Sequence, residues 1–132
     1  MITRILVGTP TSERGAGALL AAAKLADTHD AELIVLQVAP VLDARSVFDP
    51  NGVPDPGEHL RPLHRSFPQL RMRNQQASGN PVREVCRAAE QEGSDLIVVP
   101  QRRRGSVSGL LSRRASKALV KQAPCPVLLV AS

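Results

Sequence analysis

Aromatic residues are nearly absent from this sequence. The 132-residue chain contains two phenylalanines, Phe48 and Phe67, and no tryptophan or tyrosine. Proteins that bind single-stranded nucleic acid commonly stack the bases on aromatic side chains. Nucleic acid is therefore a disfavoured partner, although the formal net charge of +5 would favour a polyanion.

Cysteine and histidine are also scarce. Neither Cys86 nor Cys125 has a CxxC or CxxH neighbour, which excludes a disulfide framework and a cysteine-based metal site. We expect both thiols to be small core residues. The three histidines, His29, His59 and His64, lack the spacing of metal ligands, and we expect neither a metal nor a cofactor.

Long apolar runs are missing as well. No run approaches the roughly 20 residues that span a bilayer, and the start MITRILVGTP has no secretory signal pattern. We therefore expect a cytoplasmic protein that contacts no membrane. A hydrophobic content of 42% excludes a disordered chain, and the length fits a single domain over residues 1–132.

Short apolar segments alternate with helical patterns along the chain. The predicted strands are TRILVGT, AELIVLQVAP, LRMRNQQASGN, SDLIVV and APCPVLLVAS. The third is only modestly hydrophobic, which suits a position near a sheet edge. This alternation predicts an α/β fold, a five-stranded parallel open sheet with helices on both faces.

Helix signals separate these strands. SERGAGALLAAAKLADTHD follows a candidate cap, Ser12, and NPVREVCRAAEQEG has the cap Asn80 and the terminator Gly93. LSRRASKALVKQ predicts an amphipathic helix with a basic side. Five prolines between residues 41 and 68 exclude a long helix there, so we expect a Pro-rich loop with at most a short helix near residues 59–70.

One segment is rich in bases and has no acid. Because ligands of parallel α/β sheets bind beyond the carboxyl ends of the strands, its position after SDLIVV is favourable for a site. Its arginines either bind a phosphorylated anion through their guanidinium groups or are solvated, with their alkyl stems covering apolar surface. Both interpretations stay open. The basic residues between positions 101 and 122 are Arg102, Arg103, Arg104, Arg113, Arg114, Lys117 and Lys121.

Nothing in the sequence indicates an enzyme. Ser106, Ser108 and Ser112 have no histidine or acid nearby and no nucleophile-elbow pattern, so we expect them to be loop hydrogen-bonders or caps.

Several segments resemble the universal stress protein family. They are RILVGTPTSE, AELIVLQV, GNPVREVCRAAEQEGSDLIVVP and RRGSVSGLLSRRASKALVKQAPCPVLLV, with APCPVLLV the most specific. The middle of the chain, roughly residues 41–70, has no motif to match and is shortened relative to the family. The resemblance implies a Rossmann-like fold and a homodimer formed by antiparallel pairing of the last strands. An unrelated flavodoxin-like fold is the alternative, but GTPTSERG is a poor phosphate-binding turn for it.

The resemblance also raises the question of ATP. Some family members bind it with a first-strand Asp and a loop of Gly, two residues, Gly, nine residues, then Gly and Ser or Thr. We align this motif to the chain without gaps. The Asp position then falls on Pro10, and the positions of the three glycines and the hydroxyl residue fall on Pro100, Arg103, Arg113 and Arg114. Proline lacks an N–H and arginine fills the space that phosphates need. We expect no ATP binding in the family manner.

Three functional hypotheses follow. The leading one is a non-catalytic stress-response or regulatory protein that acts through homodimerisation and protein contacts. The alternative is a sensor of a phosphorylated ligand or nucleotide through the arginine-rich loop 102–114. A sequence-independent nucleic-acid contact through Arg113, Lys117 and Lys121 ranks last. Because an uncovered apolar edge strand needs a partner, the dimer strand is expected at Val127, Leu128, Leu129 and Val130.

Overall fold

The computed structural model of the protein describes residues 1–10, 16–39, 60–101 and 112–131. Within them, five strands form one parallel sheet in the order β3-β2-β1-β4-β5. The predicted fold class is confirmed, and the modestly hydrophobic strand β3 lies at an edge. The strands are β1 (Arg4–Pro10), β2 (Glu32–Ala39), β3 (Met72–Ser78), β4 (Leu96–Gln101) and β5 (Val127–Ala131).

The helices of the described residues are α1 (Ala16–His29), α2 (Arg61–Ser66), α3 (Pro81–Glu92) and α4 (Arg113–Gln122). The short helix α2 lies within residues 59–70, where the sequence predicts at most a short helix. The predicted cap Ser12 and most of the Pro-rich loop lie outside the described residues.

Both faces of the sheet are covered. Ile5 and Val7 of β1 pack in one core cluster with α1 and α2, whereas Leu6, between them, packs in the other with α3 and α4. Successive residues of a strand point to opposite faces, so a continuous apolar run is the pattern of a strand buried on both. The helices therefore lie on both faces, as predicted.

Local capping explains where α3 and α4 begin. The Asn80 side-chain oxygen accepts the N–H of Arg83 at 3.2 Å, and the Ser112 hydroxyl oxygen accepts the N–H of Ala115 at 3.0 Å. Gly93 ends α3 with φ at 63°, a left-handed conformation that favours glycine. Each helix follows a parallel strand, so both begin at the carboxyl edge of the sheet.

The cysteines depart from the expectation of small core residues. Cys86 and Cys125 are only partly buried and pack against the core cluster from its margin. On α3, Ala88 is buried, whereas Cys86 is not. Burial raises the pKa of both thiols, which lowers the fraction of reactive thiolate.

Candidate anion site at the starts of α3 and α4

Two of the five candidate arginines lie at the start of α4. Arg113 and Arg114 are its first two residues and both are exposed. Ser112 caps the helix, as expected of it. Arg102, Arg103 and Arg104 lie outside the described residues, so their place in the candidate anion site stays a prediction.

A groove of about 350 Å³ lies between the first turn of α3 and one side of α4, which lines it from Ser112 to Gln122. Asn80, Val82 and Arg83 line it from α3 and its cap, and Arg114 and Ala115 line it from α4. Arg113 does not line it. Arg113 and Arg114, which no sequence pattern distinguishes, therefore have different surroundings.

Arg83 is a candidate residue that the sequence analysis missed. It lies in the first turn of α3, thirty residues before the basic segment, and no motif marks it. Only the topology could have indicated Arg83. Both helices follow parallel strands and cover the same sheet face, so their first turns lie at one edge of the sheet.

No carboxylate lies among the described residues that line the groove. The ion pairs of the described part of the chain lie elsewhere and join Arg73 to Glu32 and Glu92, and Arg87 to Glu84. Arg83 and Arg114 thus form a local concentration of positive charge at the groove.

The outer side of α4 is basic over its whole length. Arg113, Lys117 and Lys121 are exposed and border a second depression, of about 470 Å³, together with Arg114. Their spacing of four residues places them on one helix face, which confirms the predicted basic side.

The positions that correspond to the family's ATP motif are described only in part. Pro10 is the last residue of β1, and Pro100 is fully buried in β4 beside Val130 of β5. Arg103 lies outside the described residues. Because proline has no N–H, the backbone offers no donor at position 100.

Strand β5 forms the second edge of the sheet. Val127 and Leu129 pack toward α3 and α4, and Val130 packs toward α1. Leu128, between them, is 38% exposed. In the described part of the chain β5 pairs with β4 alone, so its other edge carries unpaired backbone groups.

The described residues contain neither a metal-binding cluster nor a membrane-spanning helix. No group of three or more His, Cys, Asp or Glu side chains there could hold a metal ion. No helix there has both the length and the apolar character needed to cross a membrane.

Comparison with known families gives one match over almost the whole chain. The sequence model of the universal stress protein family matches residues 1–131. A curated relative from Thermus aquaticus, described as a universal stress protein in the QAH/OAS sulfhydrylase 3′ region, is 44% identical over 52 residues. That match covers 39% of this chain and 38% of the relative.

Solved structures share the fold at low sequence identity. The universal stress protein UspA from Lactobacillus plantarum has a TM-score of 0.71 and 22% identity, over 98% of this chain and 97% of its own. A protein from Archaeoglobus fulgidus, solved in complex with dAMP, has a TM-score of 0.69 and 14% identity, over 98% and 99%.

Proposed function

Because the chain belongs to the universal stress protein family, we propose that it is a non-catalytic stress-response or regulatory protein that acts as a homodimer and through protein contacts in the cytoplasm. The observation that carries this proposal is the edge strand β5. It is apolar, it is open on one side within the described residues, and it exposes Leu128.

A second copy is the partner that fits this edge. Two β5 strands related by a two-fold axis run antiparallel, and each then pairs the N–H and C=O groups that its own sheet leaves open. The same pairing covers Leu128, whose exposed apolar surface favours burial. The resulting sheet is continuous across the dimer.

Sedimentation equilibrium tests the dimer directly. At micromolar concentration we expect a mass of twice 14.1 kDa for the wild type. Leu128→Lys should give a monomer, because it places a charge in the apolar contact. Ser78→Lys, on the exposed part of the opposite edge strand β3, is the matched control and should leave the dimer intact. A monomeric wild type, or equal dissociation by both variants, would contradict the proposal.

The proposal includes loss of ATP binding in the family manner. A glycine-rich phosphate loop works because bare backbone N–H groups approach the anion closely. Here Pro100 offers no N–H and is buried, and Arg113 and Arg114 carry long side chains at the start of α4. Pro10 stands where the family has its nucleoside carboxylate.

A second candidate function is sensing of a phosphorylated ligand or nucleotide through the arginine-rich loop 102–114. It is favoured by the Archaeoglobus fulgidus neighbour, which was solved with dAMP, and by the exposed positions of Arg113 and Arg114. Under this alternative guanidinium groups replace the backbone donors of a glycine loop. Nucleotide titration separates the two functions.

A further inference from the structure

The two cysteines of the chain lie on the same face of the sheet. Cys86 is on α3 and Cys125 lies in the bend between α4 and β5, and both pack against the core cluster that these two helices cover. Both thiols are free and only partly buried. A small molecule in solution can therefore reach each of them.

The packing of α3 beside α4 directs Cys86 toward the end of α4. Val82, one helical turn before Cys86 on the same stripe of α3, lines the groove together with Ala118 and Gln122. Both helices begin at the carboxyl edge of the sheet, so one turn further along α3 is one turn nearer to the end of α4 at Gln122. Cys125 follows that end by three residues.

The turn after α3 approaches Cys125 from the other side. The N–H of Ser94 donates to the carbonyl of Ala89 at 2.9 Å, which holds this turn against the last part of α3. Burial raises the pKa of the Cys125 thiol, and the negative charges of Asp95 and then of Cys86 raise it further. The two sulfur atoms are thus close enough for the charge of one to act on the other. Packing brings them together, although their spacing in the sequence gives no sign of a disulfide.

The bend that carries Cys125 can supply the movement that a covalent bond needs. A disulfide joins sulfur atoms at about 2 Å and Cα atoms at about 4.4–6.8 Å. Cys125 lies outside helix and strand, and its neighbours Pro124 and Pro126 have no N–H with which to anchor the backbone. The carbonyl of Pro126 accepts the N–H of Ile97 at 3.0 Å, so the movement ends where β5 begins.

We propose that Cys86 and Cys125 are a redox-sensitive pair, which a peroxide converts into an intramolecular disulfide between α3 and the bend before β5. The thiolate of one cysteine attacks the O–O bond of hydrogen peroxide, which gives a sulfenic acid and releases hydroxide. The thiolate of the other attacks this sulfur, which forms the S–S bond and releases a second hydroxide. The two thiols lose two electrons and two protons, and the protons convert both hydroxides into water.

The raised pKa of both thiols restricts this reaction to sustained oxidation. Few thiolates exist near neutral pH, so the pair stays reduced in the resting protein. For the same reason both sulfurs are poor leaving groups, so the bridge exchanges slowly with small thiols once it has formed. The modification does not depend on the proposed dimer, because neither cysteine belongs to β5.

Peptide mapping of the oxidised wild type tests the bridge. We would treat the reduced protein with excess hydrogen peroxide, block the remaining thiols in denaturant and digest with trypsin. The expected product joins residues 84–87 to residues 122–132, has two hydrogen atoms fewer than the separate peptides, and comes apart in reductant. Free thiols should fall from two per chain to none, and the product should migrate as a single chain on a non-reducing denaturing gel.

Arg87 offers a matched control position on the same helix. It is adjacent to Cys86 but exposed, whereas Cys86 packs against the core cluster. The double variant C86S/R87C keeps two cysteines and moves one of them to a different side of α3. We expect no intramolecular bridge to Cys125 in this variant under the same conditions.

Four results would overturn the proposal. The wild type could keep both thiols through the treatment, its oxidation could stop at separate sulfinic acids, or the bridge could join two chains instead of forming within one. The fourth is equal bridging in C86S/R87C, because the reaction would then not depend on the position of Cys86. The mapping of the wild type needs no substitution, so its answer does not depend on whether a variant folds.

Discussion

Asp95 shows how one side chain joins the amino-terminal end of β1 to the turn before β4. A single carboxylate oxygen accepts the N–H of Thr3 at 2.8 Å, the Thr3 hydroxyl at 3.0 Å and the N–H of Arg4 at 3.1 Å. The backbone bonds from Thr3 and Arg4 lower the pKa of Asp95 below its ordinary value. The charged form is thus favoured in the folded state.

This lowered pKa predicts a dependence of stability on pH. Because the folded-state pKa is the lower one, the stabilisation is present above the unfolded pKa of about 3.9 and is lost as the pH falls through the folded-state value. We expect D95N to be less stable than the wild type near neutral pH, and the gap to close in acid. Urea unfolding at a series of pH values measures this difference in the free energy of unfolding between D95N and the wild type.

D27N is the control, since Asp27 is an exposed carboxylate on α1. A stability gap between wild type and D95N that stays constant from neutral to acidic pH would show that the charge of Asp95 is not what stabilises the fold.

Single residues also show which features of the structure can be predicted from the sequence and which cannot. The caps Asn80 and Ser112 were predictable because each acts within one turn of its own residue. The grouping of Arg83 with Arg114 was not, because it depends on how two helices pack on the same sheet face. Sequence alone likewise could not separate Arg114 from its neighbour Arg113.

Among the elements, α4 is attached to the core mainly through one large side chain. Leu119 is its one large side chain that is completely buried in the described chain, and Ala115 and Ala118 are partly buried beside it. Ser116 is buried as well, and its hydroxyl donates to the Ser112 carbonyl at 3.1 Å. The basic face of this helix is therefore positioned mainly by one leucine.

Leu119→Ala should consequently destabilise the protein by about 2–5 kcal/mol, through lost burial and the cavity that remains. Lys117→Ala, on the exposed side of the same helix, should change the free energy of unfolding by less than about 0.5 kcal/mol. Urea unfolding of both variants measures the difference. Similar values for the two would mean that Leu119 does not anchor α4.

The elements themselves were largely predictable, whereas their order in the sheet was not. Apolar runs and helical periodicity identified each strand and the helices α3 and α4, since these signals are local. The central place of β1, between β2 and β4, arises from pairings between residues far apart in the chain. No local sequence pattern predicts which strands pair with each other.

At the scale of the whole molecule, the two edges of the sheet differ in character. On the polar strand β3, Arg73 binds both Glu32 and Glu92, and Gln75 donates to Glu92 at 2.9 Å. These bonds tie the edge to its own protein, and with a charged, polar strand they discourage further pairing. The other edge, β5, is apolar and open in the described residues. This asymmetry favours a two-chain assembly through β5 over an extended fibre.

The proposed tasks belong to separate regions of the molecule. We propose that the β5 edge serves association and that the replaced ATP-motif positions prevent nucleotide binding in the family manner. The second of these proposals is central, because it decides whether the protein senses a nucleotide or works through its contacts.

Calorimetric titration with ATP, at about 150 mM salt to screen distant charges, tests that claim most directly. We predict no saturable ATP binding by the wild type. One ATP bound per chain would contradict the account. If that binding were lost on replacing Arg113 and Arg114 with Gly and Ser, the arginine-rich loop would be the nucleotide sensor.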